Sequence, residues 1–338
     1  FSGKLTYTVG RVPVMLFGSV MTALCGLLYP WFATVWLFLL LRFLHGFSTG
    51  FAPTGAMAYV GDISPAHRRG EAIGLVSMFG TLGMAIGPAL GSWVAKHTSL
   101  DTMFYLSSGC GFIAVAMTMP LRETLPAPQK LKPSFFKIGR NEFYEPRVLR
   151  PATVLFLACF SFGAMLTLVP DFSEYLGFEN KGLFFTVFTL ASLGVRFFSG
   201  KMSDRIGRVK TLKIGLFLLT VSMVMIGLSE SQLVFLISAA LFGIANGTNS
   251  PTIMAWTIDL SNDATRGRAL STAYIFLEAG IGGGALLGGW LYGNNAANFS
   301  VAFISCAALC FISFLILFFP MKHKVEKPAT DAITATRD

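Results

Sequence analysis

The chain has 338 residues, of which 54% are hydrophobic and 13% charged, and its mean hydropathy of +0.64 leaves too little polar surface to coat a water-soluble globule of this size, so lipid is the expected solvent. The formal net charge of +9 invites a nucleic-acid reading, but the basic residues lie between long apolar runs and form neither a basic helix face nor an aromatic stacking platform, which argues against it. The cysteines (Cys25, Cys110, Cys159, Cys306, Cys310) sit in apolar stretches without CxxC spacing, and the histidines (His45, His67, His97, His323) lack ligand spacing; no disulfide framework, metal or cofactor is expected.

A helix needs about 20 mostly apolar residues to cross about 30 Å of hydrocarbon. In chain order the sequence predicts such spans at Val12 to Leu28, Thr34 to Val60, Ala72 to Ala95, Met103 to Met119, Ala152 to Val169, Gly182 to Ser199, Leu212 to Leu228, Leu233 to Ile258, Ala269 to Tyr292 and Phe299 to Phe319. Pro53, Pro88 and Pro251 fall inside them, which bilayer helices tolerate when neighbours satisfy the freed carbonyls. Among the basic residues, Lys96 and Lys181 occupy one set of alternating loops and Arg42 and Arg196 lie within spans. The rest lie on the other side, which the positive-inside rule makes cytoplasmic. Residues 1–120 are expected to form one helical bundle, 121–150 a basic, proline-bearing cytoplasmic linker, 151–320 a second bundle and 321–338 a cytoplasmic tail. Within the linker, Phe135, Phe136 and Ile138 beside Lys137 and Arg140 suit either a membrane-surface contact or a solvated strand of chain.

The chain repeats itself at an offset of 197 residues. Phe1-Ser-Gly-Lys4 returns as Phe198-Ser-Gly-Lys201, Gly10-Arg11-Val12 as Gly207-Arg208-Val209, and the register continues ungapped through Gly46/Gly243, Gly50/Gly247, Asp62/Asp259, Arg69/Arg266, Gly83/Gly280, Gly87/Gly284, Gly91/Gly288 and Trp93/Trp290. Parallel repeats of this kind mark transporter halves. Two spans precede the signature loop of the second half, and none precedes that of the first. The chain also opens at Phe1 inside a polar loop, so the expectation is a native protein of twelve spans, of which ten are present here.

Gly200-Lys-Met-Ser-Asp204-Arg205-Ile-Gly207-Arg208 resembles the signature loop of the major facilitator superfamily, and Gly3 to Arg11 is its first-half counterpart. Leu41-Arg42 with Gly46 is similar to that family's fourth-helix motif. Gly83-Met-Ala-Ile-Gly87-Pro88-Ala-Leu-Gly91 is similar to the fifth-helix motif of its proton-coupled exporters. The resemblance implies an all-α transmembrane fold of two pseudo-symmetric bundles, and it makes a bend at Pro88 relevant to coupling direction. The chain departs from the pattern at Tyr7, where an acid is usual, and at His45, where glutamine is common.

An ionisable group inside hydrocarbon is a functional candidate by default. Glu278 lies near mid-depth and is the expected proton-coupling or substrate-binding acid. Arg42, His45 and Thr49 share one helix face at i, i+3 and i+7, and Asn246 and Asn249 with Ser250 make a polar patch expected to line a cavity in the matching second-half helix. Asp204 is expected to latch against the positive end of the helix starting near Ala72, with Arg205 and Arg208 as ionic partners or headgroup contacts. Asp62 with Arg69, and Asp259 with Arg266, are expected loop bridges. Gly83, Gly87, Gly91 and Gly280, Gly284, Gly288 read as helix-packing seams.

The resulting expectation is a secondary transporter in the cell membrane, exporting small organic molecules against a proton gradient by alternating access. Its partners are substrate, protons and lipid, and a monomer is expected. A proton-coupled uptake carrier is the second reading, and a non-transporting membrane sensor the third. No Ser/His/Asp or Cys/His arrangement points to an enzyme.

Overall fold

The computed structural model describes residues 2–32, 34–65, 68–132, 144–261 and 266–319. The tail at 321–338, the Phe135 to Ile138 patch, His67 and His323 lie outside them. The first half comprises α1 (Ser2–Thr8), α2 (Arg11–Leu28), α3 (Val35–Thr49), α4 (Phe51–Ile63), α5 (Arg69–His97) and α6 (Leu100–Thr118). The second comprises α7 (Leu149–Tyr175), α8 (Leu183–Ile206), α9 (Arg208–Gly227), α10 (Gln232–Asp259), α11 (Arg266–Tyr292) and α12 (Phe299–Ile316). No strand occurs among the described residues. With α3 and α4 taken as one span, they contain nine helices long and apolar enough to cross a membrane, and ten when α8, bent by 50° between Arg196 and Phe198, is included. An all-helical solution follows from the solvent: in hydrocarbon a backbone N–H or C=O finds no water, and a helix pairs these groups internally.

Several boundaries differ from the sequence expectation, α8 running past Ser199 to Ile206 among them. The span from Thr34 divides at Gly50 into α3 and α4, which places Pro53 in the first turn of α4, where a missing N–H costs no intrahelical bond. The fifth span does not stop at Val169; α7 runs through Pro170 to Tyr175.

The second half is the better filled. Here α7 packs on α11 and α12, α8 and α9 on α10, and α9 on α12. Between them Phe184, Phe235, Phe242, Phe303, Met165 and Leu216 are fully buried. The α7–α11 contact is made backbone to backbone. A Cβ at Gly280 would stand 2.3 Å from the carbonyl oxygen of Phe156, and one at Gly284 2.2 Å from that of Phe160. These residues are therefore small because the helices touch, as the spacing of the seam suggested. The matching seam on α5 is not closed in this way: Gly83 and Gly87 have no neighbour within 4 Å among the described residues, and Gly91 meets only Met103. The first half is held mainly by α2, which packs on α3, α4 and α6.

The linker is fastened at both described ends. The backbone N–H of Gln129 donates to the carbonyl of Thr8 at 2.8 Å. Glu145 donates its backbone N–H to Thr272 of α11 at 2.9 Å, and its carboxylate lies 3.6 Å from the Arg268 guanidinium of the same helix.

Replacing Gly284 with valine should lower the unfolding transition in detergent by the equivalent of about 1–3 kcal/mol, because the added carbons must push two backbones apart. Gly289→Ala on the same helix, whose Cβ would meet nothing nearer than 3.9 Å, should leave the transition within the error of a thermal-shift measurement.

Candidate transport site and gates

The signature loops have the same skeleton in both halves. Gly10 and Gly207 precede α2 and α9 with φ of 138° and 91°, a region closed to most side-chain-bearing residues. Each turn delivers an arginine to an aspartate 51 residues on: Arg11 Nε donates to Asp62 Oδ2 at 2.9 Å, and Arg208 Nε donates to Asp259 Oδ2 at 2.9 Å. The aspartates thus belong to the signature arginines. Arg69 and Arg266, the partners expected from sequence, have side chains outside the described residues.

Beyond that skeleton the loops diverge. In the second half Arg208 also bridges to Asp204 and donates to the hydroxyl of Ser203 at 2.9 Å. In the first half Tyr7 replaces the acid, and its ring carries the Arg11 guanidinium 4.6 Å from the centroid. Arg11 is 6% exposed and donates further to the carbonyl of Thr6 at 2.8 Å. Sequence reasoning missed a third participant, Glu123 of the linker. Its carboxylate receives the backbone N–H groups of Arg11 and Val12, each at 3.0 Å, so it caps α2 where the helix dipole is positive. Burial pushes this carboxyl up, but bonds from the backbone N–H groups of Leu125, Arg11, Val12 and Thr124 outweigh it and hold the group below its ordinary value.

Among the described residues Asp204 has no bond to α5. Its carboxylate is 66% exposed, and among the described residues its bond is to Arg208. Arg205 is exposed beside it. At the opposite end of α8 the halves do meet. A Cβ on Gly182 would stand 2.4 Å from Cα of Ala89, next to Pro88. The backbone N–H of Lys181 donates to Ser92 Oγ at 3.2 Å, Asn180 Nδ2 donates to the carbonyl of Ala89 at 3.4 Å, and Lys96 pairs with Glu179 at 3.5 Å. The two halves thus touch at this end of α8, and at its other end the Asp204 carboxylate is exposed.

Within the spans, the polar stripe of α3 is drawn together by a residue the sequence did not single out. Tyr29, at the end of α2, places its hydroxyl 2.8 Å from Nδ1 of His45, and its ring lies 4.9 Å under the Arg42 guanidinium. Phe38 offers Arg42 a second ring face at 5.2 Å. Arg42 and His45 therefore converge, whereas Thr49 is exposed and returns its hydroxyl to the carbonyl of Gly46 at 2.7 Å. Glu278 sits at the middle of the 27-residue α11, exposed and without a hydrogen bond or ion pair among the described residues. It lies within electrostatic reach of Cys159 on α7.

Asn246 is half-buried on α10, but Asn249 does not line a cavity. Its amide is buried against α9 at Gly215, where a Cβ would stand 2.0 Å from Oδ1, and neither amide atom finds a partner. An apolar cavity of about 230 Å³ lies elsewhere, between Leu5, Val9, Val14, Phe17, Phe51 and the linker's Leu131.

The helix set is that of a multi-pass membrane protein built on an internal repeat. The family model for the Major Facilitator Superfamily matches residues 1–183 and 152–337, and the chain belongs to that superfamily of transporters. Among curated relatives, the staphylopine export protein of Staphylococcus aureus (strain Mu50 / ATCC 700699) is 25% identical over 98% of this chain and 84% of its own length. The multidrug resistance protein MdtG of Klebsiella pneumoniae (strain 342) is 27% identical over 87% and 73%. Among solved structures, the human organic anion transporter MFSD10 (TETRAN) aligns with a TM-score of 0.67 at 20% identity, covering 94% of this chain and 79% of its own. A POT family transporter in complex with 5-aminolevulinic acid aligns with a TM-score of 0.75 at 12% identity, covering 94% and 82%. The structural likenesses agree with the all-α fold described above.

Glu123→Ala should destabilise the chain by about 1 kcal/mol at neutral pH, the usual worth of a helix cap. A depressed folded-state carboxyl contributes stability above its unfolded value and loses it as pH falls through the folded one. The difference between wild type and variant should therefore shrink as pH is lowered below 4.5, read as converging thermal transitions.

Proposed function

We propose that this transporter exports small organic molecules across the cell membrane, driven by inward proton movement. The observation that carries the reading is Glu278, an acid at the midpoint of an apolar helix with no partner among the described residues. Hydrocarbon penalises its charged form, so gaining or losing a proton changes which packing of the halves is favoured. Export is supported by the curated relatives, which are named for exporting staphylopine and for multidrug resistance. The positive-inside rule puts the signature loops, linker and tail on the cytoplasmic face, and the Gly182–Ala89 contact then closes the outer face. On this reading the cytoplasmic side is the open one, and exchange of a proton at Glu278 with substrate would bias that inward-open state against an outward-open partner.

In proteoliposomes, an imposed proton gradient should drive uphill movement of at least some members of a panel of labelled lipophilic cations and small zwitterions. Glu278→Gln should lose that uphill movement while retaining substrate-for-substrate exchange; full gradient-driven transport by the variant would remove Glu278 from the mechanism.

The closed end offers a separate check. Gly182→Leu cannot keep the backbone contact with Ala89, so a membrane-impermeant maleimide should label Ser92→Cys faster in that background than in the otherwise wild-type chain.

A further inference from the structure

Three positions in the first half depart from their repeat mates in one direction. Tyr29, Arg42 and His45 correspond, at the 197-residue offset, to Ile226, Ala239 and Phe242, all fully buried in the second half's apolar core. The same locus of the repeat is thus oil in one half and a polar cluster in the other. A structural role for that locus is met by apolar side chains, as the second half shows. Polar groups in its place carry a desolvation cost that packing does not require.

Tyr29 is the only one of the three that touches both others. It is 6% exposed, it meets His45 through its hydroxyl at 2.8 Å, and it meets Arg42 through its ring face at 4.9 Å. We infer that Tyr29 is a positioning residue of the proton-coupled cycle, holding His45 by Nδ1 and Arg42 by cation–π contact so that one protonation event is felt by both. This inference rests on the proton-driven reading above.

The chemistry of the contact suits two states. With the neutral imidazole protonated at Nδ1, the phenol oxygen accepts from Nδ1–H in the neutral ring and in the imidazolium alike, so the bond persists while Nε2 gains or loses its proton. Arg42, one helical turn from His45, is the fixed charge that a proton on His45 must oppose, and the ring between them keeps the guanidinium close. The titratable or charged groups facing the cluster are Arg42 from α3 and Cys25 from α2; α6 contributes the ring of Phe104, 5.0 Å from that of Tyr29. Ser48, one turn beyond His45, donates to the His45 carbonyl at 2.7 Å and meets Thr22 of α2 at 3.1 Å, which fixes this stretch of α3 against α2.

Tyr29→Phe separates the two contacts, since it removes the hydroxyl and keeps the ring. The bond to an imidazolium is the stronger of its two forms. Gradient-driven flux in proteoliposomes should therefore have its half-maximal pH moved toward acid by about one unit in Tyr29→Phe, at whatever maximal rate remains. In a His45→Asn background the same change should produce no further shift. A second reading is independent of transport: the ¹⁵N-imidazole signal of His45 in detergent, identified by its loss in His45→Asn, should change in Tyr29→Phe. An unaltered pH profile in a transporting wild-type background, or an unaltered His45 signal, overturns the positioning role and leaves the export reading intact. A wild-type chain whose flux ignores the proton gradient overturns both.

Discussion

Hydrocarbon offers no water to a stranded polar group, and nearly every feature of this chain answers to that constraint. Helices pair their own backbones, and hydroxyls inside them fold back onto the preceding turn: Thr248, Thr252 and Thr257 of α10 donate to carbonyls four residues earlier at 2.8, 2.7 and 2.9 Å. Charges are sorted to the helix ends, where they meet opposite charge, backbone or ring faces. The two signature arginines illustrate this, each fixed to an aspartate across 51 residues. Against that background the ionisable groups left at depth, Glu278 and Arg42, stand out as expenditures that the fold does not need.

The repeat imposes a common frame and the sequence then fills it unequally. The second half closes α7 on α11 through Gly280 and Gly284 and packs an aromatic core around Phe235 and Phe242. The first half carries the cation and the imidazole. A bundle whose interior is close-packed resists deformation and moves as a body, whereas polar contacts among Tyr29, Arg42 and His45 can be remade in a different pattern. The two halves thus differ in what fills them, and they meet at the Gly182–Ala89 contact.

Much of this was legible in the residues. Apolar run lengths located the helices, the 197-residue register located the halves, and the glycine spacing of α11 located its seam. What escaped was tertiary. Glu123 reads as one more linker charge, because nothing local says that it will cap a helix that begins 112 residues earlier. Tyr29 is one aromatic among many in an apolar run, and only its mate, Ile226, hints that a hydroxyl there is unusual. Asn249 has a cavity-lining look by composition, yet Gly215 on the neighbouring helix opens a slot that takes its amide inward. The aspartates of α4 and α10 were assigned to arginines close in sequence, although the repeat already placed Arg11 and Arg208 at equal distances from Asp62 and Asp259. The break at Gly50 was hidden because hydropathy runs straight through it.

The exchange of an acid for Tyr7 in the first signature loop has a consequence of its own. A carboxylate beside an arginine can be neutralised by acid and is masked by dissolved ions. An aromatic face binds the guanidinium through its quadrupole and has no proton to gain. Dissolved ions can screen the exposed pair of Asp204 with Arg208, while the Tyr7 ring holds Arg11 with no second charge to screen. Two motifs that look like duplicates thereby share one carboxylate contact, to Asp62 or Asp259, and differ in the second, which is ionic in one half and aromatic in the other.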